Sequence, residues 1–325
     1  MATTTAPEAL DADSARFMDA LERGDLPGLR QVPKADLHVH AIMGGCRTFI
    51  RDRTGHDVVP LEGVLASMDG MHAWNDRYLR PVFKPPAGVQ DLPYEATFAQ
   101  CRRDGVVRID MGVDVQTMTL RSEKPAAAVW SWLKDIHLRE APMVDWLPQL
   151  GADRKARIEN ILRWLDPFLE LGVFRTFDVY GDELARPIDD FLPVYRRLKS
   201  AGLILKCHVG EWGTADDVFR AVELLELDEV QHGIAASESP RAMRFLADAG
   251  VRLNICPTSN LKLGRVKRIE DHPIRRLYDA GVRVTVNSDD PLMFGSDLSE
   301  EFLLLYRAGV MSATELDSIR REGMT

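Results

Sequence analysis

Two histidines one residue apart, His38 and His40, close the short apolar stretch ADLHVH at residues 35–40. In an extended strand residues i and i+2 face the same side, so both imidazoles would aim a ring nitrogen at one point. That spacing suits a shared metal ion, and it equally suits two half-buried, hydrogen-bonded imidazoles. Three further stretches bear on the choice. KCHVGEWG (206–213) carries His208 at the end of an apolar run with Glu211 just beyond it, QHGI (231–234) carries His232 in the same place, and NSDDP (287–291) carries Asp289 and Asp290. A buried histidine is ordinarily a packing residue and Asp-Asp-Pro ordinarily a turn. With four of the chain's eight histidines at the ends of three separate runs, those readings are hard to hold together. Three imidazoles and a carboxylate suit Zn²⁺, which accepts nitrogen and oxygen alike, better than Mg²⁺ or Ca²⁺, which take oxygen. Iron, manganese and cobalt remain compatible. A water in an open position on such an ion would have its pKa lowered to about 7, and the site would be hydrolytic.

Positioning these residues requires strands that end on one rim. After ADLHVH, short apolar runs recur as GVVRIDMGV, MVDWLPQL, VFRTFDVYG, LILKCHVG, EVQHGI, VRLNICPTS and VRVTVNSDD, which makes eight. Between the later ones lie helical patterns such as RKARIENILRWLDPFLELG, IDDFLPVYRRLKSAG and SPRAMRFLADAG, each ending in the glycine that stops a helix. Strand and helix alternating in this way predict a parallel α/β fold, and eight units favour a closed (β/α)8 barrel, whose reactive residues sit at the C-terminal strand ends. A single domain over residues 1–325 is expected, opened by a helix around SARFMDALERGD. Residues 51–104, rich in Trp, Tyr, Phe and Pro, exceed a bare connection and predict an inserted helical lid or cap. His56, His72, His137 and His272 read as surface or loop residues, with His72 the one that could approach the site from the lid.

Composition narrows the partners. Hydrophobic residues make up 45% of the chain and charged residues 28%, an ordinary balance for a globular protein with a sizeable core. A net charge of -9 argues against a general grip on nucleic acid or an anionic membrane and for a neutral small molecule. Cys46, Cys101, Cys207 and Cys256 are scattered without a Cys-x-x-Cys pair and read as reduced thiols. The opening MATTTAPEALDADSARF lacks the basic and apolar regions of a secretory signal, so a cytoplasmic location is expected, with a homo-oligomer left open.

Taken together the motifs resemble the adenosine deaminase family of the amidohydrolase superfamily. PKADLHVH (33–40), FDVYGDE (177–183), HVGEWG (208–213), HGI (232–234), CPTSN (256–260) and NSDDP (287–291) occur in the family's order along most of the chain. The resemblance implies one zinc ion on His38, His40, His208 and Asp289. It implies that Glu211 protonates the ring nitrogen beside the carbon bearing the amine, and that His232 orients the attacking hydroxide and stabilises developing charge. Asp289 would pass a proton to the departing ammonia, Asp290 would bond the purine N7, the Gly181 N–H would hold N3, and His40 would border the substrate.

Two departures concern the substrate. The family commonly follows the second histidine with Leu, an acidic residue and Gly, the acid receiving a ribose hydroxyl; here Ala41, Ile42, Met43 and Gly44 follow. Tyr180 stands before Gly181 where a small residue is usual, and an added ring there narrows or re-shapes the pocket. The end, SATELDSIRREGMT, stops where family members generally carry another helical stretch. Adenosine is the default substrate, with adenine, a modified adenosine or 6-aminodeoxyfutalosine within the same chemistry. Amide or ester hydrolysis on the same metal and a silent nucleoside-binding barrel are the competing readings.

Overall fold

The computed structural model describes residues 6–65, 67–83, 91–116, 118 and 124–325. Its frame is a set of parallel strands: β1 (Lys34–His40), β2 (Val106–Asp114), β3 (Asp145–Asp153), β4 (Thr176–Tyr180), β5 in two stretches (Ile204–Leu205 and His208–Val209), β6 (Glu229–His232), β7 (Arg252–Ile255) and β8 (Arg283–Val286). Hydrogen bonding runs β1 to β5 in one sheet and from the second stretch of β5 to β8 in another. The break in β5 does not part the sheets. The Lys206 N–H still donates to Phe177 O at 2.8 Å on one side, while Gln231 N–H donates to Cys207 O at 2.9 Å on the other. The last gap closes where Val39 bridges Asp289, with His40 N–H on Asp289 O at 3.3 Å and Asp289 N–H on His38 O at 2.9 Å. Eight parallel strands thus form a barrel, as the alternation of runs predicts.

Burial on both faces explains why these strands read as apolar runs: β1 is buried over all but its final residue, and β6 and β7 over their whole length. The interior below the rim is nevertheless polar. Lys206, 1% exposed, places its ammonium 2.6 Å from Asp110 and 2.7 Å from Glu229. Asn254 donates to Glu229 at 2.7 Å and to Gln231 at 2.9 Å, and Asn287, fed by Leu37 N–H, continues the network to Thr285. Burial alone would raise the Glu229 carboxyl, but Lys206 and Arg252 outweigh it and bring the pKa down to about 2. A plug whose polar groups are paired in this way fixes the register of the strands beneath the site.

The opening helix, Ala6–Arg23, packs through Phe17 onto the helix Leu298–Arg307, the two phenylalanine rings meeting edge-on at 5.1 Å. The final helix, Ala313–Gly323, is tied to the start of β1 by Arg320, which donates to Pro33 O at 2.8 Å. Among the described residues no helix is long and apolar enough to cross a membrane. Of the 51–104 stretch, residues 66 and 84–90 lie outside the described residues. The rest holds the helices Arg47–Thr54, Met68–Trp74, a π-helical turn Asn75–Leu79, Arg80–Phe83 and Leu92–Arg103, with residues 55–65 in irregular chain. These segments share a second apolar cluster, with Ile50, Val58, Trp74, Leu79 and Val82 against Leu263 and Leu292–Phe294. That cluster sits behind the Asp-Asp-Pro turn. Two histidines depart from the surface or loop expectation. His137 lies within the helix Ala126–Glu140, half-buried against Phe98 and Trp146, and His272 is 2% exposed. His56 and His72 are exposed.

Candidate active site

The strand ends bring His38, His40, His208, His232 and Asp289 to one place. His38 Nε2 stands 3.1 Å from His208 Nε2 and 3.6 Å from Asp289 Oδ1, and His40 Nε2 stands 3.4 Å from the same oxygen. Ligand atoms of a four-coordinate ion with bonds of about 2.0–2.2 Å are about 3.3–3.6 Å apart, close to these three separations. The sets whose ligand atoms all lie within 4.8 Å of one another include His38 with His208 and His232, His40 with Asp289 and Asp290, and Glu211 with His232 and Asp289. Cys256 also lies within reach of His38 and Asp289, but its sulfur contacts the back of the His38 ring at Nδ1, 3.3 Å away.

Each imidazole is turned by a second partner. His38 Nδ1 meets Asn254 O at 3.1 Å, so that nitrogen carries the proton and Nε2 faces the cluster bare. Asp178 Oδ2 lies 2.9 Å from His208 Nδ1 and biases that ring the same way. Burial lowers His40 and His208 to about 4 and His232 to about 3, and drives His38 well below its ordinary value, with neighbouring imidazoles adding to the effect on His38, His40 and His232. Neutral rings are the metal-binding form.

Backbone strain concentrates here as well. Among the described residues three non-glycine residues have positive φ: Glu226 at 53°, His232 at 64° and Asp289 at 58°. Glu226 ends a helix; the other two are site residues, held left-handed where each strand turns out of the barrel. Such geometry costs on the order of 1–3 kcal/mol per residue and persists only where the surroundings impose it.

Glu211 and Asp290 are two buried carboxyls beside the cluster. Burial raises the Glu211 carboxyl well above the usual range, helped by the charges of Asp289 and Glu183, and its Oε1 lies 3.4 Å from His232 Nε2. Burial likewise raises Asp290, with Asp289 and Glu211 adding to it. The loop bearing Glu211 is held by Glu183, whose carboxylate accepts the N–H of Gly210 at 2.6 Å, Glu211 at 3.1 Å, Trp212 at 2.7 Å and Gly213 at 3.1 Å. Glu183 and Asp178 both belong to the FDVYGDE motif, yet neither role was readable from it; only the fold shows which groups they face.

All of this opens on a cavity of about 170 Å³. His40, Gly181, His208, Glu211, His232, Asp289 and Asp290 line it, as expected of the site residues, whereas His38 lies beneath. His72 does not line it; Met71 and Asn75 from the same segment do. The remaining wall is largely apolar, with Ile42, Met43, Met118, Tyr94 and Leu263, except at Asp114, the last residue of β2. Tyr180 closes that side, donating its hydroxyl to Asp114 Oδ2 and lying 5.3 Å from the His40 ring. Asp114 gives no signal in the sequence, because an acidic residue at a strand end is ordinarily a solvated terminus.

A parallel barrel with a metal-type cluster of imidazoles and a carboxylate on its C-terminal rim defines an enzyme of the amidohydrolase kind. Residues 75–325 match the adenosine deaminase family model, and the chain belongs to that family. It is a hydrolytic deaminase. A Treponema pallidum protein provisionally named an adenosine/adenine deaminase is 32% identical over 89% of this chain and 96% of its own. An adenine deaminase of Acinetobacter baylyi is 29% identical over 90% of this chain and 91% of its own. The crystal structure of an amidohydrolase from Burkhoderia ambifaria with bound Zn shares the fold, with TM-score 0.74 and 21% identity over 99% of this chain and 90% of that one.

Proposed function

We propose that the protein replaces the exocyclic 6-amino group of a purine by oxygen, consuming one water and releasing ammonia, at one zinc ion held by His38, His40, His208 and Asp289. The donor set, three imidazoles and a carboxylate with three of its separations at 3.1–3.6 Å, supports zinc over oxygen-seeking cations. When bound, such an ion makes water acidic enough to attack at neutral pH.

The chain's own groups do the rest. Glu211, whose carboxyl burial shifts towards its protonated form, donates to the ring nitrogen beside the amino-bearing carbon, which makes that carbon electrophilic. Asp290, shifted the same way by burial, donates to N7, and the Gly181 N–H holds N3, so that the ring lies face-on to the donor cluster. His232 faces the oxygen that adds to carbon, and Asp289 passes a proton to the leaving amine. The single observation carrying this reading is a buried carboxyl, Glu211, its pKa raised by that burial, set 3.4 Å from His232 beside the ligand cluster. Generic amide hydrolysis has no use for a second raised acid at Asp290.

For the finer substrate, the apolar wall of Ile42, Met43 and Leu263 and the names of the relatives favour free adenine. Asp114 supports a second reading: its carboxylate could accept a sugar hydroxyl in place of the acid missing after His40, which would suit adenosine or a modified nucleoside. In either case the helical segments bearing Met71 and Asn75 serve as the lid over the cavity. Ammonia release from adenine, adenosine and other aminoheterocycles, with metal-replete protein and His40→Ala as the blank, tests the proposal. Turnover of a 6-aminopurine supports it; silence across the panel overturns it.

A further inference from the structure

His272 is a fully buried histidine outside the ligand cluster, and a chain of hydrogen bonds leads from it into the site. The Ile274 backbone N–H donates to His272 Nδ1 at 3.1 Å. His272 Nε2 meets Asn260 Oδ1 at 3.3 Å, Asn260 Nδ2 meets His232 Nδ1 at 3.3 Å, and His232 Nε2 faces Glu211 Oε1 at 3.4 Å and Asp289 Oδ2 at 3.9 Å. All three side chains in the middle are buried.

The backbone end sets the polarity of the whole chain. A backbone N–H can only donate, so His272 Nδ1 is an acceptor and its single proton sits on Nε2. Burial lowers His272 to about 3, which keeps that ring neutral. An Nε2–H needs an acceptor, so the amide of Asn260 must present its oxygen to His272 and its NH₂ to His232. His232 Nδ1 is therefore an acceptor, and the His232 proton is on Nε2, pointing at the reacting groups.

We propose that His272 and Asn260 are positioning residues that lock His232 in its Nε2–H tautomer, so that His232 acts as a hydrogen-bond donor to the oxygen adding to the purine carbon and not as the base that deprotonates it. The catalytic half rests on the deaminase reading above; the tautomer half does not. A preorganised donor aimed at an oxygen that gains charge needs no reorganisation during reaction, and removing one such donor costs about 10²–10³ in rate.

The test begins with ¹⁵N-histidine NMR of the zinc-loaded protein, where protonated and bare ring nitrogens resonate far apart. The expected spectrum has Nε2–H on both His232 and His272; Nδ1–H on either overturns the proposal without any variant. Asn260→Asp is nearly isosteric but accepts from both sides, so it forces the His232 proton onto Nδ1. We expect kcat to fall about a hundredfold, with KM and bound metal unchanged. His272→Leu removes the anchor and lowers kcat, and His272→Gln, whose amide can donate to Asn260, recovers most of the loss. A kcat loss in Asn260→Asp with His232 still Nε2–H, or an exchanged tautomer with kcat intact, overturns the proposal. Absence of ammonia release in the unaltered protein sinks the deaminase reading instead and leaves the tautomer result standing.

Discussion

Replacing Glu183 by Gln should both destabilise the protein and misplace Glu211, and the contacts set the size of the effect. In the native site one carboxylate oxygen accepts three N–H groups, from Glu211, Trp212 and Gly213, while the other accepts Gly210. Glutamine does best by keeping its oxygen on the three-donor side, which turns its NH₂ against the Gly210 N–H. That leaves a buried donor unsatisfied at about 1–3 kcal/mol, and the three remaining bonds fall from charge-assisted to neutral strength. Relaxation of the loop recovers part of this, so a net loss of about 3 kcal/mol is expected. Because a displacement of about 1 Å can cost about a hundredfold in rate, kcat should fall at least about tenfold as Glu211 follows the loop. Urea unfolding and ammonia release on the same preparation measure both. An unchanged midpoint together with unchanged kcat would refute the claim that Glu183 positions the acid.

Glu211→Gln keeps shape but cannot protonate the ring; kcat should drop by about 10²–10⁴ with metal content intact, and retained turnover would remove Glu211 from the acid role. His272 has an ordinary pKa of 6.5 that burial lowers to about 3 in the folded protein, so the unfolded chain takes up its proton first as the medium is acidified. Its contribution to stability is complete above pH 6.5 and is lost as pH falls towards 3, amounting to about 2 kcal/mol by pH 5. His272→Gln should flatten the acid limb of the urea stability profile by that amount; parallel profiles would contradict it. Asp114→Asn should lower kcat/KM for adenosine about tenfold, the worth of one hydrogen bond of about 1.4 kcal/mol, and leave adenine unaffected. Equal losses on both substrates would instead make Asp114 a support for Tyr180.

Local pattern carries the barrel and the donor set because both are written locally. A strand buried on two faces is a continuous apolar run, and a reactive residue at its C-terminal end is the polar interruption that follows, as in LHVH or KCH. What joins elements far apart in sequence has no such trace. The contacts of Glu183 with Gly210–Gly213 and of Asn260 with His232 span 27–30 and 28 residues, and only the closed fold creates them. His272 sits in DHPIRR, which reads as an exposed turn; its burial depends on where the following helix docks. The same holds for Asp114, drawn into the cavity by Tyr180 from the end of another strand. His72 shows the converse: the segment reaches the cavity, but the helix rotates Met71 and Asn75 towards it and leaves the histidine outside.

Deamination on the proposed reading requires a metal on the rim of His38, His40, His208 and Asp289. A chelator titration that records bound metal and ammonia release from adenine or adenosine in the same sample tests it most directly. Activity should fall in proportion to metal removed, reach zero with it, and return when one equivalent of zinc is restored. Activity that survives complete removal of the metal would contradict it.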